Sequence, residues 1–322
     1  MLIAPEDPRR RMKISAVIST WNRRDDVAAN VAALKAGTRP PDEIVVVDNA
    51  STDGTAERLE AEHPDVVVAR MAHDKYGACE TFNIGFKLTR GDAIAIMDDD
   101  VVATPRWLEL LEARLLAEPE TTAMVSSRVI EPGMPEAYQR AEVERGAYYA
   151  STFRGCGTLA RREVMQRAGW YDEHFFIYGN ERDLSARVLG LGYRILQDPE
   201  PVINHGTPFG MKAGPRSLYY HVRNFWLYAF KSCRWGDILR MTFRMARKAT
   251  GGTKAVRSDA TGSSSEAEME ATGTMGLAQS MKDTPGARWI VIKATLNALA
   301  NLPYCLARRK PVDSPDFRLP GV

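Results

Sequence analysis

The chain has 322 residues, 44% of them hydrophobic and 26% charged, the balance of a globular protein with a buried core and not of a disordered chain. Its 43 Lys and Arg against 41 Asp and Glu leave a net charge of +2, too even for a protein that binds nucleic acid by bulk electrostatics, so no nucleic-acid partner is expected. No apolar run reaches the ~20 residues of a membrane span, and Cys79, Cys156, Cys233 and Cys305 are too widely spaced for a zinc site or a small disulfide framework.

Residues 1–12 include Arg9-Arg10-Arg11 and lack the apolar stretch of a secretory signal, so a reduced cytoplasmic protein is expected. Ile14–Ser19 reads as a first buried strand. Arg24–Lys35 follows as a helix with Val27, Val31 and Leu34 at helical spacing. Gly37-Thr38-Arg39-Pro40-Pro41 breaks the chain. Ile44–Val47 is a β-branched run suited to a strand covered on both faces. The loop Asp48–Gly54 leads into a helix over Thr55–Glu62. The alternation continues with a strand over Val66–Ala69, a helix over Cys79–Leu88 and a strand over Ala93–Met97. Pro105 then opens a helix that runs to Leu116. Strand and helix in this order predict an α/β fold, a mostly parallel sheet with helices on both faces.

The last third changes character. Residues 206–249 hold nine Lys or Arg against one acid, Asp237, among many aromatics. Leu218, Val222, Phe225 and Ala229 fall on one helical face, so a basic amphipathic helical segment is expected. Residues 250–286 are rich in Gly, Ser, Thr, Ala and Glu and read as a flexible linker or mobile loop. Residues 287–322 read as an apolar, basic helix and tail. The two basic, aromatic-rich segments suit an anionic membrane surface, packing on the rest of the chain, or a homo-oligomer contact.

Ligands of open α/β sheets bind beyond the carboxyl ends of the strands. Asp48 ends one strand, and Asp98-Asp99-Asp100 ends another. Adjacent carboxylates repel one another unless they are solvated or neutralised by a cation, and a hard divalent ion with oxygen ligands does this. An isolated acidic triplet is more often a solvated turn; its place at a buried strand end, beside Asp48, favours a site. No glycine-rich dinucleotide or P-loop fingerprint follows the first strand, where Thr20-Trp21-Asn22-Arg23 stands. The run Phe175–Tyr178 should be buried, placing Glu181 and Asp183 against an apolar wall that makes a carboxylate a stronger base. The plainer alternative is a helix start in which Asn180 caps and the acids complement the dipole. Gly155-Cys156-Gly157 allows either a close backbone approach to a ligand or a tight strand bend. His205 is a candidate metal ligand, although a lone His is more often merely packed.

Taken together, SAVISTWNRRDDV, EIVVVDNASTDGT, Asn83-x-Gly85 before Arg90-Gly91-Asp92, AIAIMDDDV and GWYDEHFFIYGNERDLSARVLGLGYRI resemble family 2 glycosyltransferases. These are inverting enzymes of GT-A fold, and the likeness, over roughly residues 13–230, is greatest to bacterial rhamnosyltransferase-type members. The resemblance implies a catalytic domain over 13–205. Thr20, Arg23, Asp48, Asn83, Asp98 and Asp99 would bind the sugar nucleotide (UDP-, dTDP- or GDP-linked). Asp100 and His205 would hold Mn²⁺ or Mg²⁺. Family members place the base in a Glu-Asp-x-Asp pattern; here the residues are Asn180-Glu181-Arg182-Asp183, so Glu181 stands where the Asp base is expected, with Asp183 as the other candidate. The implied reaction moves a sugar to a hydroxyl on a glycan, lipid or small molecule, in the cytoplasm or at the inner face of the cell membrane. The departure at Glu181 leaves an inactive sugar-nucleotide-binding or scaffold domain as the alternative. A nucleotidyltransferase of similar fold is disfavoured by the first-strand loop.

Overall fold

In the computed structural model, which describes residues 11–210, 214–249 and 277–319, the early apolar runs become parallel strands β1 (Ile14–Thr20), β2 (Glu43–Asp48), β3 (Val67–Arg70) and β4 (Ala93–Asp98). The interiors of β1, β2 and β4 are buried because both faces are covered, while β3 is an exposed edge strand. Val17, Val45, Val47, Ile94 and Ile96 face one core cluster, and Ala16, Ile18, Val46, Ala95 and Met97 face the other. Helices α1 (Arg24–Ala36) and α2 (Thr55–Glu62) bring Val27, Val31, Leu34 and Leu59 to the second cluster. Helix α3 (Ala78–Leu88) brings Phe82 and Phe86 to the first.

The remaining elements of the sheet domain are β5 (Val101–Ala103), α4 (Trp107–Ala117), β6 (Thr122–Ile130), α5 (Glu136–Arg145), β7 (Tyr148–Tyr149), β8 (Thr158–Arg161), α6 (Arg162–Ala168), α7 (Asn180–Gly190) and β9 (Arg194–His205). The strand order is β3-β2-β1-β4-β8-β6-β9-β5, with β7 on β9. The parallel arrangement extends from β3 to β4 only. Beyond it β8 runs antiparallel to β4 and β6, and β5 and β7 run antiparallel to β9, while β6 and β9 are parallel. Strands β5, β7 and β8 span two to four residues, too few to carry a periodic signal in the sequence. Pro105 lies in the turn before α4, whose first residue is Trp107.

The C-terminal third adds α8 (Pro215–Ser232), α9 (Trp235–Ala249), α10 (Leu277–Asp283), α11 (Ala287–Ala300) and α12 (Leu302–Ala307). Helix α8 buries Leu218, Val222 and Ala229 as their spacing predicts, while Phe225 is partly buried. Residues 250–276 of the expected linker lie outside the described residues; Leu277–Asp283, in its final part, is helical.

Helix α8 is joined to the sheet domain by charge as well as apolar area. Lys231, 4% exposed, bridges Asp172 at 2.5 Å and Asp183 at 2.6 Å, and Asp172 also accepts a hydrogen bond from the Tyr304 hydroxyl at 2.7 Å. Burial works to raise the Asp172 pKa, but the Lys231 charge and these hydrogen bonds outweigh it and leave the carboxyl below its ordinary value. Replacing the cation would leave the partly buried Asp172 without its lysine partner and the buried Asp183 with Arg187 alone, so Lys231→Met should lower stability by about 3 kcal/mol. Denaturant unfolding followed by circular dichroism checks this, and an unchanged midpoint would refute the bridge.

Candidate active site

Four strand pairings assemble the acidic centre. Ser19 of β1 lies beside Asp98 of β4, and Thr20 lies beside Asp48 of β2, so these carboxyl ends form one ledge. Asp99 and Asp100 make the turn out of β4, and Val101 then pairs with His205 at the end of β9. The Gly206 N–H donates to the Asp100 carbonyl at 2.7 Å and locks that turn. Ile130 of β6 pairs with Asn204, which puts Glu131 next to His205 from the other side. Residues a hundred positions apart therefore meet through register alone.

His205 Nε2 lies 3.2 Å from Asp100 and 3.9 Å from Asp98, and its Nδ1 lies 2.9 Å from Glu131. Burial works against protonation of His205, yet the hydrogen bonds to Asp100 and Glu131 and the charge of Asp98 raise its pKa to about 10. Asp100 is pushed up by burial but ends below its ordinary value because His205, the Thr207 hydroxyl at 2.9 Å and Arg23 favour its charged form. Desolvation raises Asp98 to about 6 against the pull of His205, with Asp100, Glu181 and Glu131 adding repulsion. Asp99 rises to about 7, chiefly by desolvation, tempered by the Thr20 hydroxyl and increased by its two acidic neighbours. The ledge holds more negative charge than the protein neutralises, the condition in which a cation binds.

Asp98, Asp100 and His205 each offer a ligand atom, all within 4.8 Å of one another. Two carboxylates and an imidazole suit Mn²⁺, and the oxygen donors also suit Mg²⁺. Glu131, by holding the Nδ1 side, leaves Nε2 to face the carboxylates, the arrangement by which an outer carboxylate orients a ligating His. The donor set fits a divalent ion and adds Asp98 to the expected pair of Asp100 and His205.

The neighbouring side chains are distributed unevenly. Arg23 pairs with Asp26 at 2.9 Å and reaches Asp100 at 3.9 Å. Asp48 is buried and accepts the Ser51 N–H at 3.2 Å. Asn83, expected beside a nucleotide, is committed elsewhere. Its amide nitrogen donates to the Tyr171 carbonyl at 2.9 Å and to Glu173 at 3.0 Å, and its carbonyl oxygen accepts the Tyr171 N–H at 2.9 Å. Asp183 is wholly buried between Lys231 and Arg187, whose guanidinium lies at 2.8 Å. Both of its oxygens are engaged by cations, Lys231 on Oδ1 and Arg187 on Oδ2.

Glu181 is differently placed. It stands in the first turn of α7, half-buried, and Asn180 donates to its Oε1 at 3.0 Å. Burial raises its pKa above the ordinary carboxylate value, opposed by hydrogen bonds from its own backbone and Asn180 and by the Arg182 charge. Asn180 is the first helical residue and not the cap; Gly179, at φ 74°, takes that position. Gly155 lies against the Glu181 carboxylate, and a Cβ added there would sit 2.6 Å from Oε1. The glycine thus serves a close approach, to a side chain of the protein itself.

The loop before Glu181 is strained. Phe176 and Tyr178 both have positive φ, 64° and 65°, which bulky residues adopt only when their surroundings impose it. Asn224 of α8 imposes it here, its amide nitrogen lying 2.8 Å from the carbonyls of Phe175, Ile177 and Tyr178. Phe175 is fully buried as expected, while Phe176, Ile177 and Tyr178 are partly exposed. Glu131 and Asn224 escaped the reading of the sequence. The only local hint of Glu131 is an acid closing a strand before Pro132-Gly133, and Asn224 gives none.

Comparison with known proteins agrees with this geometry. Residues 15–180 match the family model described as glycosyl transferase family 2. An N-acetylglucosaminyl-diphospho-decaprenol L-rhamnosyltransferase of Mycobacterium tuberculosis is 25% identical over 275 residues, 72% of this chain and 89% of its own length. A glucosyl-dolichyl phosphate glucuronosyltransferase of Haloferax volcanii is 24% identical over 221 residues, 60% of this chain and 69% of its length. Among solved structures, a mannosyltransferase of Pyrobaculum calidifontis in complex with GDP-Man and Mn²⁺ superposes with a TM-score of 0.54 at 18% identity, covering 92% of this chain and 77% of the other. GalNAc-T7 with UDP, GalNAc and Mn²⁺ gives 0.57 at 16% identity, covering 92% and 59%. With more than half of its length matched by the family model and its sheet laid out as in these structures, the chain belongs to glycosyl transferase family 2 and has the GT-A fold.

Proposed function

We propose that this glycosyltransferase is inverting, and that it moves a sugar from a nucleoside-diphosphate sugar to a hydroxyl acceptor in one in-line displacement with Glu181 as the base. The observation that carries this reading is the position of Glu181. Among the described residues it is the carboxylate of α7 without an ion-pair partner, and burial raises its pKa. The alternative of an inactive binding domain draws no support from this arrangement, because the departure from the expected Asp keeps a carboxylate at this position.

In the proposed reaction Glu181 accepts the proton of the acceptor hydroxyl as that oxygen forms its bond to the anomeric carbon. The bond from that carbon to the diphosphate oxygen breaks on the opposite face, and the nucleoside diphosphate departs with the electron pair. Thr20, Arg23, Asp48 and Asp99 line the ledge where the nucleotide would lie. Asp98, Asp100 and His205 would hold the divalent ion, which when bound supplies positive charge to the departing diphosphate. The Gly155 backbone and the Asn180 amide keep the Glu181 carboxylate aimed at one place, which proximity catalysis requires.

Glu181→Gln should lower kcat by roughly 10²–10⁴-fold while nucleotide binding persists; transfer at the wild-type rate would remove Glu181 from the role. Because the Glu181 pKa is raised, the wild-type acid limb should lie above the ~4.3 of a free glutamate, with activity falling as pH drops through it. A pH profile of kcat locates that limb. Gly155→Ala would drive a methyl group into Oε1 and should reduce kcat with little change in donor affinity, as steady-state kinetics would show. Melting temperatures taken with UDP, dTDP and GDP, each with and without Mn²⁺, should rise most for one nucleotide together with the metal. Asp100→Asn should suppress the metal-dependent part, and an equal rise in the variant would dismiss Asp100 as a ligand.

A further inference from the structure

Helix α11 packs the wrong way round for a helix whose only partner is protein. Its buried residues are the small ones, Ala287, Ala294 and Ala298, at spacings of seven and four that define one face. Ile290 and Val291 flank that face and pack against Leu218 and Val222 of α8, but on the opposite face Trp289 is 77% and Leu296 61% exposed, accompanied by Ile292 and Leu299. The alanines let α8 approach closely, and Arg223 of α8 donates to Asn297 at 2.7 Å across that contact. Among the described residues these four outward side chains stay largely uncovered.

Helix α9 has the same feature. Ile238 and Met241 are buried in the main cluster, which also receives Ala298 of α11 and Cys305 of α12. Leu239 and Phe243, one turn apart, are each 70% exposed, and Trp235 precedes them by a turn. The Arg309 guanidinium, just past α12, lies 4.2 Å from the Trp235 ring centroid.

The charge beside these apolar stripes is mainly positive, with Asp237 of α9 paired to Arg240 at 3.4 Å. Arg240 flanks Leu239, and Arg288 and Lys293 flank Trp289 and Ile292; all three cations are exposed. Between Asp283 and Asp313 the sequence has no acid, but it has Arg288, Lys293, Arg308, Arg309 and Lys310. No helix among the described residues is long and apolar enough to cross a bilayer. Two copies meeting face to face would bring these cations together, which is costly. An anionic lipid surface accepts the apolar side chains between its acyl chains and attracts the cations.

We propose that the outward faces of α9 and α11 are a lipid-binding surface that lies on an anionic bilayer. The proposal does not depend on the catalytic reading. Where the two are combined, they point to a lipid-linked acceptor, because α8, against which α11 packs, is the helix whose Asn224 holds the loop before Glu181.

The test is co-sedimentation of the full chain with vesicles of phosphatidylcholine alone or mixed with phosphatidylglycerol. The chain should pellet with the mixed vesicles, with a blue shift in tryptophan emission, and should be released by raised salt. Trp289→Ser combined with Leu296→Ser should weaken binding at least tenfold while leaving the unfolding midpoint and the nucleotide-induced thermal shift unchanged. Arg288→Glu and Lys293→Glu should each weaken it by roughly fivefold or more. A wild-type chain that stays in the supernatant with both vesicle types overturns the proposal. Equal pelleting with both types does so too, as does self-association in light scattering that the Trp289/Leu296 variant abolishes without any vesicle binding. Loss of the nucleotide shift in the wild-type chain would count against the catalytic reading alone.

Discussion

Negative charge crowded at one edge of the sheet is the constraint on which the rest of the structure depends. Asp98, Asp99, Asp100 and Glu131 are brought together by strand register, and His205 with Arg23 supplies the nearby positive charge. Free carboxylates would separate and hydrate. They cannot do so here, because each is attached at or just beyond the end of a strand whose interior is sealed between two apolar clusters. The burial that stabilises the sheet therefore also pays for the repulsion at its edge, and raised carboxyl pKa values are the visible result.

Glu181 is placed by another part of the chain. The ledge is built from strands, whereas the loop that leads to Glu181 is held by α8, through Asn224 on three carbonyls and through Lys231 on Asp172 and Asp183. The strain at Phe176 and Tyr178 persists because these contacts over-determine the backbone. The helical third of the protein thus helps to position Glu181, the proposed base, whatever lies on its outer face. Two neighbouring acids of α7 show how environment divides roles: Asp183, fully buried and doubly paired, fastens α8 to α7, while Glu181, two residues earlier, has no ion-pair partner among the described residues.

The sequence makes the first half of this legible and conceals much of the second. Thr55–Glu62 forms the expected helix residue for residue, and β1, β2 and β4 differ from expectation by one or two residues, because runs covered on both faces announce themselves through composition. The ledge residues Asp48 and Asp98–Asp100 follow from those strands by position alone. Glu131 could not be found in this way, since its meeting with His205 depends on the pairing of β6 with β9. The motif around Asn83 is local and gives no sign of its hydrogen-bond partners, Tyr171 and Glu173, about ninety residues away. Lys231 and Asn224 read as members of a basic, aromatic helix; only tertiary packing shows that they reach back to the catalytic domain.

The Asn224 clamp grips main-chain oxygens and no side chain of the loop. Its hold is therefore indifferent to which residues occupy those positions, so long as the backbone follows the same path. Of Ile177 and Tyr178, the tyrosine adds its own tie by stacking on His221 of α8 at 4.4 Å, which leaves Ile177 as the position whose size and polarity can change without releasing the loop. Such an arrangement separates two tasks, so that the surface beside the proposed base can be retailored while its aim is kept by the main chain.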